Sequence, residues 1–283
     1  MKPLQKALRE VRAAFRLARV GVHLGWGAAT VALVYPWITP RWRRALKQRW
    51  SRQLLEILAV KHGMCGAPAG RGAQVAGLLV CNHISWLDIF IINALTPAAF
   101  VAKDEVKHWP LIGWLCMHTE TIFLERGSRT AARKTLQTMA ALLRDNVPVA
   151  FFPEGTTSHG ERVLPFHAAL FQAAIEAAAP VQPLALRYAD RRGHPSLAPV
   201  YIGETTLWQS LCTIARADSV TAELRILPAF ETRMALRAEL ARRSREAILL
   251  QLGHRQFVQC AADERETTAD AADSEELAAQ PAR

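Results

Sequence analysis

Short apolar runs alternate with polar stretches through the middle of the chain. Val75–Cys81, Ala99–Ala102, Thr121–Leu124, Val147–Phe152, Val181–Tyr188 and Ala222–Ile226 are each short enough for a buried strand. Between them, Trp86–Leu95, Thr130–Arg144 and Pro165–Ala178 carry helical patterns. Thr130–Arg144 places Ala132, Leu136, Met139 and Leu143 on one face, with Asn146 as a stop signal. Pro165 suits the first turn of its helix, where the missing N–H costs nothing. Gly63–Gly77 reads as an irregular linker, and Glu231–Gln251 as a further Arg-rich helical pattern. Strand and helix alternating at this spacing predict an α/β fold, a largely parallel sheet flanked by helices.

The first sixty residues follow a different pattern. Leu4–Arg19 can be drawn as a helix with Leu4, Leu8, Val11, Phe15 and Ala18 on one side and Lys6, Arg9, Arg12, Arg16 and Arg19 around the rest. Val20–Ile38 follows, nineteen residues whose only ionisable members are His23 and Tyr35. It is just long enough to cross a bilayer, but Gly21, Gly25, Gly27 and Pro36 interrupt it. Trp42 and Trp50 then interleave with Arg41, Arg43, Arg44, Lys47, Arg49 and Arg52, a mixture suited to the lipid headgroup zone. The segment is expected to associate with membrane, either as an interfacial or re-entrant hairpin or as a span, rather than to be a cleaved signal; the alternative is helices packed on the protein's own body.

Charge sharpens this division. The total is +10, yet residues 1–52 hold twelve Lys or Arg against one acid. Residues 261–283 hold seven acids and two arginines. Three parts are therefore expected: membrane-associating helices over 1–60, an α/β domain over 61–260, and an acidic, disordered tail over 261–283. The basic end points to anionic lipid rather than nucleic acid, since no basic reading element appears elsewhere. Five scattered cysteines without a CxxC pair indicate a reducing compartment and argue against a zinc knuckle.

Candidate chemistry sits in the connections. In Asn82-His-Ile-Ser-Trp-Leu-Asp88, a histidine stands at a strand exit and an aspartate just inside the next helix. Ser85 with Asp88 also fits a capping box, which would make Asp88 structural; one carboxylate can serve both purposes. Two later strand exits hold ETIFLERGSR, with Arg126, and FFPEGTTSHG, with Glu154 and Gly155. In a parallel layer these three connections share one crevice, which gives His83, Asp88, Arg126 and Glu154 a common site. Cys81, ending an apolar strand, reads as a buried thiol rather than a nucleophile. His108, His118, His159 and His167 show no ligand spacing, and no metal or other cofactor is expected.

These residues carry a resemblance. NHISWLD is similar to the Asn-His-x4-Asp block of the glycerolipid acyltransferase superfamily, which includes 1-acylglycerol-3-phosphate acyltransferase. FVAKDEVKHWPLIG, with Lys103, Pro110 and Gly113, resembles the segment that follows it. TIFLER resembles the second block through Phe123 and Arg126, and FPEGTTS the third through Phe152 to Thr156 and Ser158. VQPLAL resembles the fourth through Val181 and Pro183. The likeness covers about residues 75 to 190.

The resemblance implies transfer of a fatty acyl group from acyl-CoA or acyl carrier protein to the hydroxyl of 1-acylglycerol 3-phosphate, at the cytoplasmic face of the inner membrane. It implies His83 as general base and Asp88 as its orienter, with no acyl-enzyme. Arg126, Glu154, Gly155, Thr156 and Lys103 fall to substrate binding, with Glu154 accepting from an acceptor hydroxyl or orienting Arg126, and N–H groups near Gly155 facing the oxyanion. Two residues depart from the pattern: Glu120 replaces a common glycine, and Thr157 the common arginine of the third block. Because the second and third blocks are associated with the acceptor's phosphate, lyso-ornithine lipid or another lysolipid is the alternative acceptor; Lys103 or Arg129 could also restore the charge. A non-catalytic lipid-binding protein is the alternative of another class.

Overall fold

The computed structural model describes residues 3–65, 75–125 and 128–253. Arg126 and the stretch 261–283 lie outside the described residues.

Seven strands form one sheet: β1 (Val60–Cys65), β2 (Leu78–Cys81), β3 (Ala99–Lys103), β4 (Ile122–Leu124), β5 (Val149–Phe151), β6 (Val181–Ala189) and β7 (Val220–Ile226). Their order is β1-β7-β6-β2-β5-β3-β4, and β6 with β7 is the one antiparallel neighbour pair among them. The expected largely parallel α/β layer is what forms. All four residues of β2 are buried, as an unbroken apolar run requires when helices cover both faces of a sheet. One face packs Leu79, Ile91 and Leu55 together, the other Leu78, Met139 and Phe171.

The differences from the expected elements have local causes. β2 starts three residues late because Gly77 turns at φ +80 against Pro180, whose carbonyl would lie 2.2 Å from a Cβ there. The first three residues of the supposed linker, Gly63 to Cys65, complete β1, which gains its partner only through β7, far along the chain. Asn146 ends α5 (Arg129–Arg144) as expected, in the left-handed region at φ 56 that asparagine tolerates. The expected helix from Pro165 shrinks to a 3-10 turn and α6 (Gln172–Ala177), because the N–H groups of Leu164 and His167 are drawn to Glu154 and the Pro153 carbonyl. The Arg-rich pattern becomes α8 (Arg237–Gly253). Helices α4 (Ile112–His118) and α7 (Leu207–Arg216) were not foreseen. α7 carries a full capping box from Thr206 and Gln209, a signal present in the sequence.

The N-terminal segment is a helical hairpin, α1 (Pro3–Leu33) and α2 (Pro40–Ile57), joined through a 3-10 turn. The glycines do not break α1. Gly27 instead admits the Trp50 indole, whose Nε1 would lie 2.6 Å from a Cβ there. His23 stacks on that indole at 4.5 Å, and Trp50 Nε1 donates to the His23 carbonyl at 3.1 Å.

The amphipathic pattern of α1 is turned inside out. Arg9 donates to the carbonyl of Arg216 and Arg16 to those of Ala215 and Ala217, while Arg12 pairs with Asp218. Three of the arginines thus meet the electronegative C-terminal end of α7. Leu4, Leu8, Val11, Phe15, Val22 and Trp26 face outward, each more than 60% exposed. Of the basic residues assigned to lipid, Lys6, Arg19, Arg41, Arg49 and Arg52 remain exposed. The stretch Leu4–Trp37 is long and apolar enough to cross a membrane by length and composition.

Candidate active site

β2, β3, β4 and β5 run the same way, so their carboxyl ends share one edge of the sheet. The loop after β2 carries His83, the turn after β5 carries Glu154, Lys103 ends β3, and the chain leaving β4 leads to residue 126. α3 (Leu87–Leu95) brings Asp88 in its first turn.

Asn82 makes the exit from β2 possible. Its amide donates to the Leu186 carbonyl at 2.9 Å and accepts the Leu186 N–H at 2.8 Å. The side chain thereby continues the pairing with β6 while the backbone turns away to present His83.

Asp88 is fully buried. Its Oδ2 accepts from His83 Nδ1 at 2.8 Å and from the backbone N–H groups of Ile84 and Ser85 at 2.7 and 3.0 Å. The bond to Ser85 N–H is half of the foreseen capping box; Ser85 Oγ accepts instead from Leu87 N–H at 3.3 Å. One carboxylate thus holds both the helix start and the imidazole. Oδ1 accepts from the Tyr188 hydroxyl at 2.7 Å, from β6. Because the carboxylate accepts from Nδ1, that nitrogen carries the proton, and Nε2 presents a lone pair. The ring stacks on Phe152 at 3.8 Å and 6°, fixing its plane, and it lines a groove of about 1590 Å³.

Glu154 is 4% exposed, and both its oxygens are engaged by backbone: Oε1 by His83 N–H at 2.9 Å and Oε2 by Leu164 N–H at 3.0 Å. Burial raises its carboxyl above the usual range, opposed by those same two donors. It ties the β2 loop to the β5 turn. Gly155 sits at φ +68 with the His167 ring 3.2 Å from where a Cβ would be, and its own N–H donates to the Phe152 carbonyl at 3.0 Å. Thr156 and Lys103 are exposed and line the groove. Thr157 donates its hydroxyl to the Tyr201 carbonyl, and Tyr201 N–H donates to the Ile84 carbonyl at 3.0 Å. Cys81 is buried, its thiol pushed far up by burial and then by the nearby carboxylates, so it is no thiolate nucleophile. Among the described residues no three His, Cys, Asp or Glu side chains cluster to hold a metal ion.

Glu120 stands in the left-handed region at φ 63, the conformation a glycine adopts without cost. Its carboxylate pairs with Arg44 at 3.3 Å and Lys47 at 3.2 Å, fastening α2 to the body. The fold therefore brings together His83, Asp88, Glu154, Gly155 and Thr156, with Lys103 along the groove. Sequence reasoning missed Tyr188 and the parts played by two motif residues, the stacking of Phe152 on the His83 ring and the backbone pairing of Asn82. Tyr188 lies two residues past the fourth block, and nothing in the linear pattern marks its hydroxyl.

The buried Asp88 carboxylate and the His83 imidazole form a pair that opens on a largely apolar groove, where the Nε2 lone pair can accept a proton. Comparison with known proteins bears on the family. The sequence profile of the family described as Acyltransferase matches residues 67–187. The chain is 34% identical over 245 residues to a lyso-ornithine lipid O-acyltransferase of Pseudomonas aeruginosa, covering 86% of this chain and 92% of that one. It is 43% identical over 135 residues to a 1-acyl-sn-glycerol-3-phosphate acyltransferase of Neisseria gonorrhoeae, covering 47% of this chain and 53% of that one. The crystal structure of a 1-acyl-sn-glycerophosphate acyltransferase of Thermotoga maritima shares the fold with a TM-score of 0.65, at 18% identity, over 98% of this chain and 99% of that one. With His83, Asp88 and Glu154 gathered at one edge of the sheet and its near-full-length likeness to a curated acyltransferase, the chain belongs to the glycerolipid acyltransferase superfamily and is an acyltransferase-type enzyme.

Proposed function

We propose that this enzyme transfers a fatty acyl group from an acyl-CoA or acyl carrier protein thioester to the free hydroxyl of a lyso-ornithine lipid. The observation that carries the choice of acceptor is the 34% identity running through 92% of a lyso-ornithine lipid O-acyltransferase. Thr157 agrees with it: where the family commonly has an arginine, a neutral hydroxyl is bound to a backbone carbonyl, which suits an acceptor without a phosphate. The second reading, acylation of 1-acylglycerol 3-phosphate, draws on the 43% identity over 135 residues to an enzyme of that name and on Arg126.

In this reading His83 Nε2 takes the proton of the attacking hydroxyl as the new C–O bond forms, a service worth about 10²–10⁴-fold. Asp88 orients the ring and stabilises the imidazolium. Collapse of the tetrahedral intermediate expels the thiolate, which takes the proton back from the imidazolium. Glu154 holds the His83 backbone, while Lys103, Thr156 and Gly155 shape the acceptor end. Residues 1–60 serve as the membrane-associating part and 61–260 as the catalytic domain, placed at the cytoplasmic face where thioester donors are available; 261–283 is an acidic tail.

The test is kcat/KM for lyso-ornithine lipid and 1-acylglycerol 3-phosphate, in the parent and in Thr157→Arg. The parent should prefer lyso-ornithine lipid at least about tenfold, and Thr157→Arg should shift the preference toward the phosphate by adding a charge-assisted hydrogen bond. A tenfold preference of the parent for 1-acylglycerol 3-phosphate would overturn the acceptor assignment.

A further inference from the structure

We propose that Tyr188 is a positioning residue for the acyl transfer, its hydroxyl clamping Asp88 and thereby governing how firmly the His83 imidazole holds a proton. The inference rests on the reading of His83 as the general base. Asp88 receives its three other donors on Oδ2, all from residues 83–85 of its own loop. Tyr188 approaches from β6, one hundred residues later, and is the donor on Oδ1 at 2.7 Å. Asp88 is fully buried and Tyr188 is 3% exposed, so no water can readily replace the phenol.

Two consequences follow. Three bonds on one oxygen leave the carboxylate free to pivot about that oxygen, and the bond to Oδ1 removes this freedom. The phenol O–H dipole also turns its positive end toward Asp88 and the ring behind it, which opposes protonation of the imidazole. The groups facing this pair are Cys81 on β2, Glu154 after β5 and Tyr188 itself. Burial, then the Asp88 charge, pushes the Tyr188 phenol well above the ordinary tyrosine range, so it remains a donor wherever the enzyme works. Cys81 likewise stays a neutral thiol.

The experiment is the pH profile of kcat/KM for the parent, Tyr188→Phe, Asp88→Asn and the Tyr188→Phe/Asp88→Asn pair in detergent micelles, with His83→Ala as control. Tyr188→Phe keeps the ring. Its acid limb should move upward by about half a pH unit or more, because the imidazole loses an opposing dipole. Its activity on the plateau should fall about tenfold. In the Asp88→Asn background the same change should have an effect within about twofold, since Tyr188 acts through Asp88. A loss independent of pH, an unmoved limb, or full additivity would overturn the inference while leaving the base reading intact, provided His83→Ala is inactive. An active His83→Ala would overturn the base reading itself, and this inference with it. If Tyr188→Phe does not fold, difluorotyrosine at position 188 supplies a stronger donor of nearly the same shape. The acid limb should then move downward, and an unmoved limb would count against the proposal.

Discussion

Asn82→Ala isolates the device that lets β2 end and the His83 loop begin at the same point. The Asn82 amide is 1% exposed and satisfies both the N–H and the carbonyl of Leu186, itself fully buried. Removing the amide strands one backbone donor and one acceptor in the centre of the sheet. Each orphaned group costs about 1–3 kcal/mol, offset in part because the amide itself no longer has to be buried. A net loss of about 3 kcal/mol is expected. For a domain of this size that corresponds to a fall in Tm of roughly 6–12 °C. Asn82→Leu should fare no better, because filling the volume leaves the Leu186 peptide unpaired. Asn82→Asp should be as poor or worse, since a carboxylate can accept the N–H but opposes the carbonyl. The assays are thermal unfolding in detergent and hydrogen exchange at the Leu186 amide, protected in the parent and exposed to faster exchange in the variants. An Asn82→Ala protein within about 0.5 kcal/mol of the parent, with Leu186 still protected, would refute the reasoning.

Lys47 donates to the Ala98 carbonyl at 3.0 Å and pairs with Glu120, yet burial lowers its ammonium below the ordinary lysine range. A lysine depressed in the folded state binds fewer protons there than when unfolded, so stability should rise with pH between its lowered value and the ordinary one, and Lys47→Met should abolish that rise in an alkaline melt series. Leu8→Asp with Phe15→Asp changes two outward side chains, 61% and 63% exposed, that touch no core. The pair should move the enzyme from the membrane fraction toward the soluble one with the melting temperature unchanged, since each apolar side chain contributes about 1.5–3 kcal/mol when removed from water. Unaltered partition would show that α1 does not carry membrane affinity.

Much of this protein is legible along the chain because the physics is local. A short all-apolar run such as Leu78–Cys81 is satisfied between two helical layers, so the run alone marks a buried strand without reference to its partners. The spacing from His83 to Asp88 determines that a first-turn carboxylate can reach back to the loop preceding its own helix. β1 was illegible because its sequence is weak and its structure comes from β7, about 160 residues away. Tyr188 is illegible because a buried strand tyrosine looks the same whether its hydroxyl meets a carbonyl or the carboxylate that holds the His83 imidazole. The basic face of α1 shows the same limit in reverse. Periodicity established that its leucines and arginines lie on opposite sides, but only the tertiary structure decided which side faces the protein, through the free carbonyls at the end of α7. Amphipathicity is a property of a segment, whereas its orientation depends on what the rest of the chain offers each face.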